Sequence, residues 1–270
     1  MAGSGALAAL RGAGQDVAAA LARPWLWGAL GWNDLRQRHA GSWLGPLWIT
    51  ANLALIVACL TFVFAGPLGG GDAHSYAAYV AIGLVLWQLI QASLNEGAQL
   101  FIAAAETIRN APMPLTVHAL RLIWRNALVL LHAAVLIPPL LLFSGVAPSA
   151  TAWTALPALL LLLGFLFAAS LLLGLLGARF RDVAPIVANL TQLLFFVTPI
   201  FWLPEALGHG RAWLTALNPF FAFVDIVRAP LLGEAPMAGS WPMALAAAVL
   251  AGLAGFAALA GARRRLPYWV

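Results

Sequence analysis

The sequence predicts an all-α integral membrane protein, and composition is the first reason. Of its 270 residues, 63% are hydrophobic and only 9% are charged, and the mean hydropathy is +0.92. A soluble domain carries roughly 25% charged residues. A water-soluble domain of this length could not bury so much apolar surface, so most of the chain is expected to lie in a bilayer.

The second observation is the length of the apolar stretches, which predicts six transmembrane helices. Each approaches or exceeds the roughly 20 residues that a helix needs to cross a bilayer. Together they would form a single membrane domain over residues 47–261, and an open strand is excluded because its backbone would be unsatisfied in lipid. The stretches are residues 47–66, 77–94, 126–143, 152–177, 186–203 and 243–261.

The third observation is the distribution of charge, which predicts the topology. All 14 basic residues are arginine, and 12 of them fall on one side if the N-terminus is cytoplasmic; only Arg211 and Arg228 fall outside. With five of the nine acidic residues inside, the net charge is +7 inside and −2 outside, which accounts for the total of +5. The positive-inside rule therefore predicts two cytoplasmic termini. The basicity thus indicates topology, and no nucleic-acid partner is expected.

The segments before the first span are predicted to differ in character. Residues 1–23 are expected to form a flexible tail, and no removable signal peptide is visible. Residues 24–45 are expected to form an amphipathic helix in the membrane interface. Trp25 and Trp32 would lie at headgroup depth, with Arg36 and Arg38 on the cytoplasmic side.

The last outside loop, residues 204–242, is unusually rich in proline and aromatic residues. It contains two apolar pieces, 213–217 and 220–232, that are too short to span a bilayer. They predict short re-entrant helices covered by protein. Residues 262–270 are expected to form a cytoplasmic tail.

Residue types that are missing or scattered exclude several activities. The chain has no lysine, so it lacks the lysine of a P-loop and is not expected to hydrolyse ATP. Its one cysteine, Cys59, and five scattered histidines predict neither a disulfide nor a metal site. No carboxylate is clearly placed within a span, which disfavours ion coupling. An intramembrane enzyme using His132 and Ser170 stays open as an alternative, although Ser170 lacks a nucleophile-elbow pattern.

Five strings along the chain resemble the membrane subunit of bacterial polysaccharide ABC exporters, the type-2 ABC permeases that move O-antigen, teichoic acid or capsular chains. The strings occur in order on the predicted six-span topology. They are RQRHAGSWLGPLW (36–48), RNAPMPLTVHALR (109–121), ARFRDVAPIVANLTQLLFFVTPIFW (178–202), NPFFAFVDIVRAPLLG (218–233) and RRRLPYWV (263–270).

The resemblance implies a homodimer in the bacterial inner membrane, paired with two copies of a separate ATPase subunit that binds ATP and Mg²⁺. No cofactor is implied for this chain itself. The substrate would be a lipid-linked polysaccharide; an exporter of the same fold that carries a drug or a lipid is the alternative. The ATPase-coupling residues would be Glu106, Arg109, Asn110, Arg179, Arg181 and Asp182. For the last three, a topology signal plus a helix cap is the competing interpretation.

Further sites are assigned by the same resemblance. The substrate path would lie along the dimer interface, although packing or lipid contact is an alternative role for each of its aromatic residues. The path residues would be Trp87, Phe195, Phe196, Phe201 and Trp202, and the outer exit would be shaped by Asn218, Pro219, Phe220 and Asp225. The interfacial helix with Trp25, Trp32, Arg36 and Arg38 would act as a gate where substrate enters.

Overall fold

The computed structural model is helical, as the composition predicts. It describes residues 2–38, 40–41, 43, 45, 47–68, 73–111, 113–145, 150–204 and 213–270, and no strand occurs within these ranges. Short 3₁₀ helices occur at Ala150–Thr154 and Leu266–Tyr268. The α-helices are α1 (Ala2–Leu21), α2 (Pro24–Arg38), α3 (Leu47–Leu68), α4 (Ala73–Ala98), α5 (Leu100–Ala103), α6 (Ala105–Asn110), α7 (Thr116–Ala134), α8 (Ile137–Phe143), α9 (Ala155–Arg179), α10 (Val183–Val197), α11 (Trp213–Ala216), α12 (Pro219–Leu231) and α13 (Ser240–Ala262).

Five helical segments among the described residues are long and apolar enough to cross a membrane. They correspond to five of the six predicted spans. The third combines α7 and α8, with a short turn at residues 135–136, and α8 then begins with a proline in its first turn. The segments are Leu47–Pro67, Ala73–Ala98, Thr116–Phe143, Ala150–Arg179 and Ser240–Ala262.

The prediction of a continuous helix over residues 186–203 is wrong at its C-terminal end. Helix α10 ends at Val197, and Thr198 is extended, with φ −86° and ψ 134°. The reason is local, because Pro199 disfavours the α conformation of the residue before it and has no N–H to continue the helix. A 15-residue apolar helix is therefore followed by a non-helical segment, residues 198–203.

The N-terminal region also differs from its prediction. Residues 2–21 are helical, so the expectation of a flexible tail over 1–23 is wrong for that range. Helix α1 is held by Asp16, whose carboxylate accepts hydrogen bonds from the backbone N–H groups of Leu115 and Thr116, each at 3.0 Å. These N–H groups lie at the start of α7 and have no partner within that helix, so Asp16 satisfies them from a distant part of the chain.

The core of the fold is the contact between α4 and α9, which pack with almost no side chain between them. A Cβ atom added at Gly97 would lie 2.8 Å from Ser170 Oγ, and one added at Gly177 would overlap the carbonyl oxygen of Ala98. Small residues allow this approach, as they do in membrane helix pairs. On the other side of α9, Gly255 of α13 faces the carbonyl oxygen of Ala168 in the same way.

The predicted short pieces of the last outside loop are both helical. Helix α11 covers Trp213–Ala216 and α12 covers Pro219–Leu231. Almost every residue of α12 from Phe221 to Pro230 is buried. This helix therefore packs inside the bundle, against α9, α13 and α4, and is not a surface loop.

Gly177→Ala is expected to destabilise the protein, because the added methyl group has no space beside Ala98. Overpacking of this kind costs about 1–3 kcal/mol, so thermal unfolding in detergent should show a lower melting temperature than for the parent. Gly164→Ala is the matched control, since it lies in the same helix and an added Cβ there meets no atom within 4 Å. Equal melting temperatures for the two variants would contradict the close approach of α4 and α9.

Candidate functional site

The predicted coupling residues lie on the protein surface. Glu106, Arg109 and Asn110 belong to α6, and all three are exposed. Arg181 and Asp182 lie in the short link between α9 and α10 and are exposed too, as is Arg179 at the end of α9. All six are therefore accessible to a partner in the single chain.

The C-terminal segment connects these two groups of residues. Arg109 Nε donates a hydrogen bond to the main-chain oxygen of Val270 at 3.0 Å. The guanidinium of Arg179 lies 5.5 Å from the ring centre of Trp269, within the range of a cation–π contact. Residues 266–270 are therefore folded back between the two groups and, with Leu266 buried, are not a free tail. We call the six predicted residues together with Trp269 and Val270 the coupling face.

Asp182 does not act as the helix cap that was the alternative for it. It occupies the position before α10, but its side chain makes no capping hydrogen bond. Among the described residues, the side chains of Arg181 and Asp182 have no hydrogen-bond or ion-pair partner. Their charges are therefore available to another molecule.

A cluster of charged side chains, which we call the α2 clamp, holds helix α2 against the bundle. Arg121 Nε donates to Asp34 Oδ2 at 2.6 Å, and Arg125 Nη1 lies 3.7 Å from the same oxygen. Glu96 of α4 accepts from Arg125 and, at 2.7 Å, from Arg38 Nη2. Two carboxylates and three guanidinium groups thus join α2, α4 and α7. Of the predicted gate residues, Arg38 alone takes part in this cluster.

The clamp borders a polar cavity of about 350 Å³. His118 lines it as well, and its buried Nε2 atom has no hydrogen-bond partner among the described residues. The sequence analysis did not single out the clamp. The spacing of the charged residues could have indicated it. Asp34 and Arg38 are four residues apart and share one helix face, and the same holds for Arg121 and Arg125.

Helix α2 has one face packed on the bundle and one exposed face. Gly31 packs on α7, where a Cβ atom would lie 3.0 Å from the carbonyl oxygen of Arg121. On the outward side, Trp25 is 70% exposed and Trp32 is 49% exposed, and Arg36 is exposed beside them. The helix ends at Arg38, short of the predicted end at residue 45; within that stretch residues 39, 42 and 44 lie outside the described residues.

The predicted path aromatics form one cluster, but they differ in exposure. Trp87 and Trp202 are buried, and Trp202 Nε1 donates to the carbonyl oxygen of Phe196 at 3.1 Å. The ring of Phe195 lies 5.9 Å from that of Trp87 and 5.5 Å from that of Phe201. Phe196 is 59% exposed. Within one chain, Phe196 is thus the member of the set with the largest free surface.

The predicted exit residues cap the start of the buried α12 and tie its middle to the segment that begins α13. Asn218 Oδ1 accepts from the N–H groups of Phe220, at 3.0 Å, and Phe221, at 3.3 Å, so it caps the helix. Pro219 occupies the first turn, where its missing N–H costs nothing. Asp225 accepts from Ser240 Oγ at 2.6 Å and from Met237 N at 2.7 Å, which ties α12 to α13.

Three side chains to which the sequence analysis assigned no role at this site donate hydrogen bonds to the carbonyl groups of the non-helical segment after α10. Arg228 Nη1 donates to the carbonyl oxygen of Pro199 at 2.8 Å, and its guanidinium carbon lies 3.7 Å from the ring centre of Tyr79. The Tyr79 hydroxyl donates to Trp202 O at 3.1 Å, and the Tyr76 hydroxyl donates to Phe201 O. The charge of Arg228, predicted to lie in an outside loop, is in fact buried.

The two residues of the enzyme alternative make contacts typical of packing. His132 Nδ1 lies 2.7 Å from the carbonyl oxygen of Leu128, one turn earlier in the same helix. Ser170 Oγ donates to the carbonyl oxygen of Ser93 at 3.1 Å and lies at the closest approach of α4 and α9. Each side chain is thus engaged with backbone.

Asp34→Asn is expected to loosen α2, because two arginines lose the negative charge that they share. The cluster is partly exposed, so a loss of about 1–3 kcal/mol is expected. Amide hydrogen exchange over Pro24–Arg38 should become roughly tenfold faster or more. Asn33→Ala is the control, since Asn33 is exposed on the neighbouring position of the same helix; an equal effect of both changes would contradict the clamp.

Comparison with known proteins places the chain in a family. The profile of the ABC-2 type transporter family matches residues 26–232. Two proteins of Klebsiella pneumoniae named O-antigen export system permease protein RfbA are 27% and 26% identical over 195 residues, covering 71% of this chain and 74% of each relative. A Myxococcus xanthus protein of the same name is 26% identical over 203 residues, covering 73% of this chain and 76% of that protein. Since the family profile covers most of the chain, this protein belongs to the ABC-2 type transporter family.

Proposed function

We propose that the chain is the membrane subunit of an exporter that moves a lipid-linked, O-antigen-like polysaccharide across the bacterial inner membrane. The carrying observation is that three relatives bearing the name O-antigen export system permease align with 71–73% of the chain. A separate ATPase subunit supplies the energy and holds ATP and Mg²⁺. The absence of any lysine supports this division, since a P-loop needs one.

The topology that we propose has six crossings with both termini in the cytoplasm. Helix α10 has 15 residues and is about 22 Å long, whereas the hydrocarbon core is about 30 Å thick. Residues 198–203 supply the remaining length. Non-helical backbone is tolerated at this depth where protein buries it, and Thr198, Pro199, Ile200 and Trp202 are all buried. On this topology the segment that contains α11 and α12 enters the membrane from the outer side and leaves it again on the same side.

The coupling face is the proposed docking site of the ATPase. It combines residues from α6, from the link between α9 and α10, and from the C-terminal segment. A partner that displaces one of these segments would therefore disturb the others. Helix α9 extends from this face to its close contact with α4. A displacement of the coupling face by the ATPase would therefore be transmitted along α9 to the membrane-spanning helices.

Exchanging the charges of Arg181 and Asp182 is expected to uncouple the permease from its ATPase. The double change Arg181→Glu and Asp182→Arg keeps the net charge constant while reversing the sign of the charge at each position. A roughly tenfold loss of affinity is expected, measured by co-purification of the ATPase and by its stimulation in the complex. Arg23→Glu is the control because Arg23 is exposed outside the face. Unchanged coupling in the double variant would remove these residues from the docking role.

The substrate path that we propose lies between two copies of the chain. Helix α10 supports this, since Ile186, Leu190, Leu193 and Phe196 are each more than half exposed. An apolar face of this kind needs lipid, a second copy or both to cover it. Phe196 lies at the end of this face and adjoins the aromatic cluster. The exposed Trp25 and Trp32 of α2 would hold the entrance at the membrane surface.

Reconstitution of the permease and its ATPase with a lipid-linked glycan is the direct test. ATP-dependent appearance of the glycan on the opposite face is expected, whereas movement of only free lipids or drugs would overturn the proposed substrate. Phe196→Ala should slow export about fivefold, because one aromatic contact is worth about 1 kcal/mol. Leu250→Ala is the control: Leu250 is 66% exposed on α13, away from the cluster. Equal export rates for both variants would exclude Phe196 from the path.

A further inference from the structure

A cavity with a mixed polar and apolar lining lies between α1 and the C-terminal end of α13, and we call it the basic cleft. Its volume is about 470 Å³. Arginine supplies three of its lining side chains, and no carboxylate is among the lining residues. They are Leu7, Ala8, Ala9, Arg11, Gly12, Gln15, Ala260, Arg263 and Arg264.

The two walls of the cleft are held together by specific contacts. Arg263 Nη1 donates to the carbonyl oxygen of Gly12 at 2.7 Å, across 251 positions of the chain. Asp16, one turn further along α1, is bound to the start of α7 by the backbone of Leu115 and Thr116. The position of Arg11 relative to α13 is therefore fixed by structure and does not depend on a free tail.

The charge of the cleft is only partly neutralised. Arg263 Nε lies 3.6 Å from Asp16 Oδ2, and the Asp16 side chain is 3% exposed. That carboxylate already accepts three hydrogen bonds from Leu115 and Thr116. Arg11 and Arg264 are exposed, and neither has a hydrogen-bond or ion-pair partner within the described chain. About two positive charges thus face the cleft without a counter-charge.

The position of the cleft next to a candidate span indicates which anionic molecule would bind there. Arg263 and Arg264 follow directly after the candidate span Ser240–Ala262, so the cleft lies where phospholipid headgroups meet the protein. Helix α1 adds an apolar rim, with Leu7 60% exposed and Leu10 43% exposed. Basic side chains beside an apolar surface match a charged headgroup above acyl chains.

We propose that the basic cleft binds the phosphate group of an anionic phospholipid of the adjoining leaflet. The guanidinium groups of Arg11 and Arg264 hold the phosphate, since their planar N–H pairs suit its oxygens. Leu7 and Ala260 contact the first part of the acyl chains. The lining residues lie outside residues 26–232, which the family profile matches, and none of them belongs to the proposed export path.

Binding is tested on the full-length protein in nanodiscs of phosphatidylcholine alone or of phosphatidylcholine with phosphatidylglycerol. Native mass spectrometry then counts retained phosphatidylglycerol. The variant Arg11→Gln with Arg264→Gln is expected to bind it about 30-fold more weakly, at about 1 kcal/mol for each charge near the surface. The control Arg23→Gln with Arg265→Gln removes the same charge from exposed positions that do not line the cleft. It is expected to retain the parent affinity.

Three outcomes would overturn the proposal. They are unchanged retention in the cleft variant, an equal loss in the control, and full competition by inorganic phosphate, which would indicate a small-anion site. Arg11→Lys with Arg264→Lys guards against a folding defect, since it keeps the charge and is expected to recover part of the binding. Export activity is not the readout, so failure here is distinguishable from failure of the proposed function.

Discussion

The rest of the structure depends on the hydrogen bonds to the carbonyl groups that follow the end of α10. After Val197 the chain leaves the helical conformation among buried residues, and its carbonyl groups need donors there. Arg228, Tyr79 and Tyr76 supply them. Arg228 reaches this position only because α12 is buried, and α12 is in turn capped by Asn218. The link after α10, the buried α12 and the tyrosine face of α4 thus form one mutually dependent unit.

Charged side chains also connect distant helices at the other end of the molecule. The α2 clamp joins α2 to the bundle through Asp34 and Glu96, and Asp16 joins α1 to α7. A carboxylate that is partly buried needs several donors, and each of these three has them. Arg181 in the coupling face, and Arg11 and Arg264 in the basic cleft, are exposed and make no such contact within the described chain. Pairing within the chain therefore separates structural charges from charges available to partners.

The function of a permease requires these two ends to communicate, and helix α9 offers the connection. It begins in the apolar bundle, crosses α4 at Gly177 and Ala98, and ends at Arg179 in the coupling face. Because no side chain separates the two backbones there, we expect a displacement of the coupling face to reach α4 directly through this contact.

The sequence by itself determined the class of protein, the helical content and five of the spans, because these follow from local hydropathy and helix length. It also predicted the short helical pieces α11 and α12, and it pointed to six polar and charged residues that are exposed in the structure. Only the tertiary structure decided that α1 is docked through Asp16, that Arg228 is buried, and that Trp269 and Val270 join two distant loops. Each of these depends on a contact between residues far apart in the chain. Local composition carries no information about which distant backbone group a charged side chain will meet.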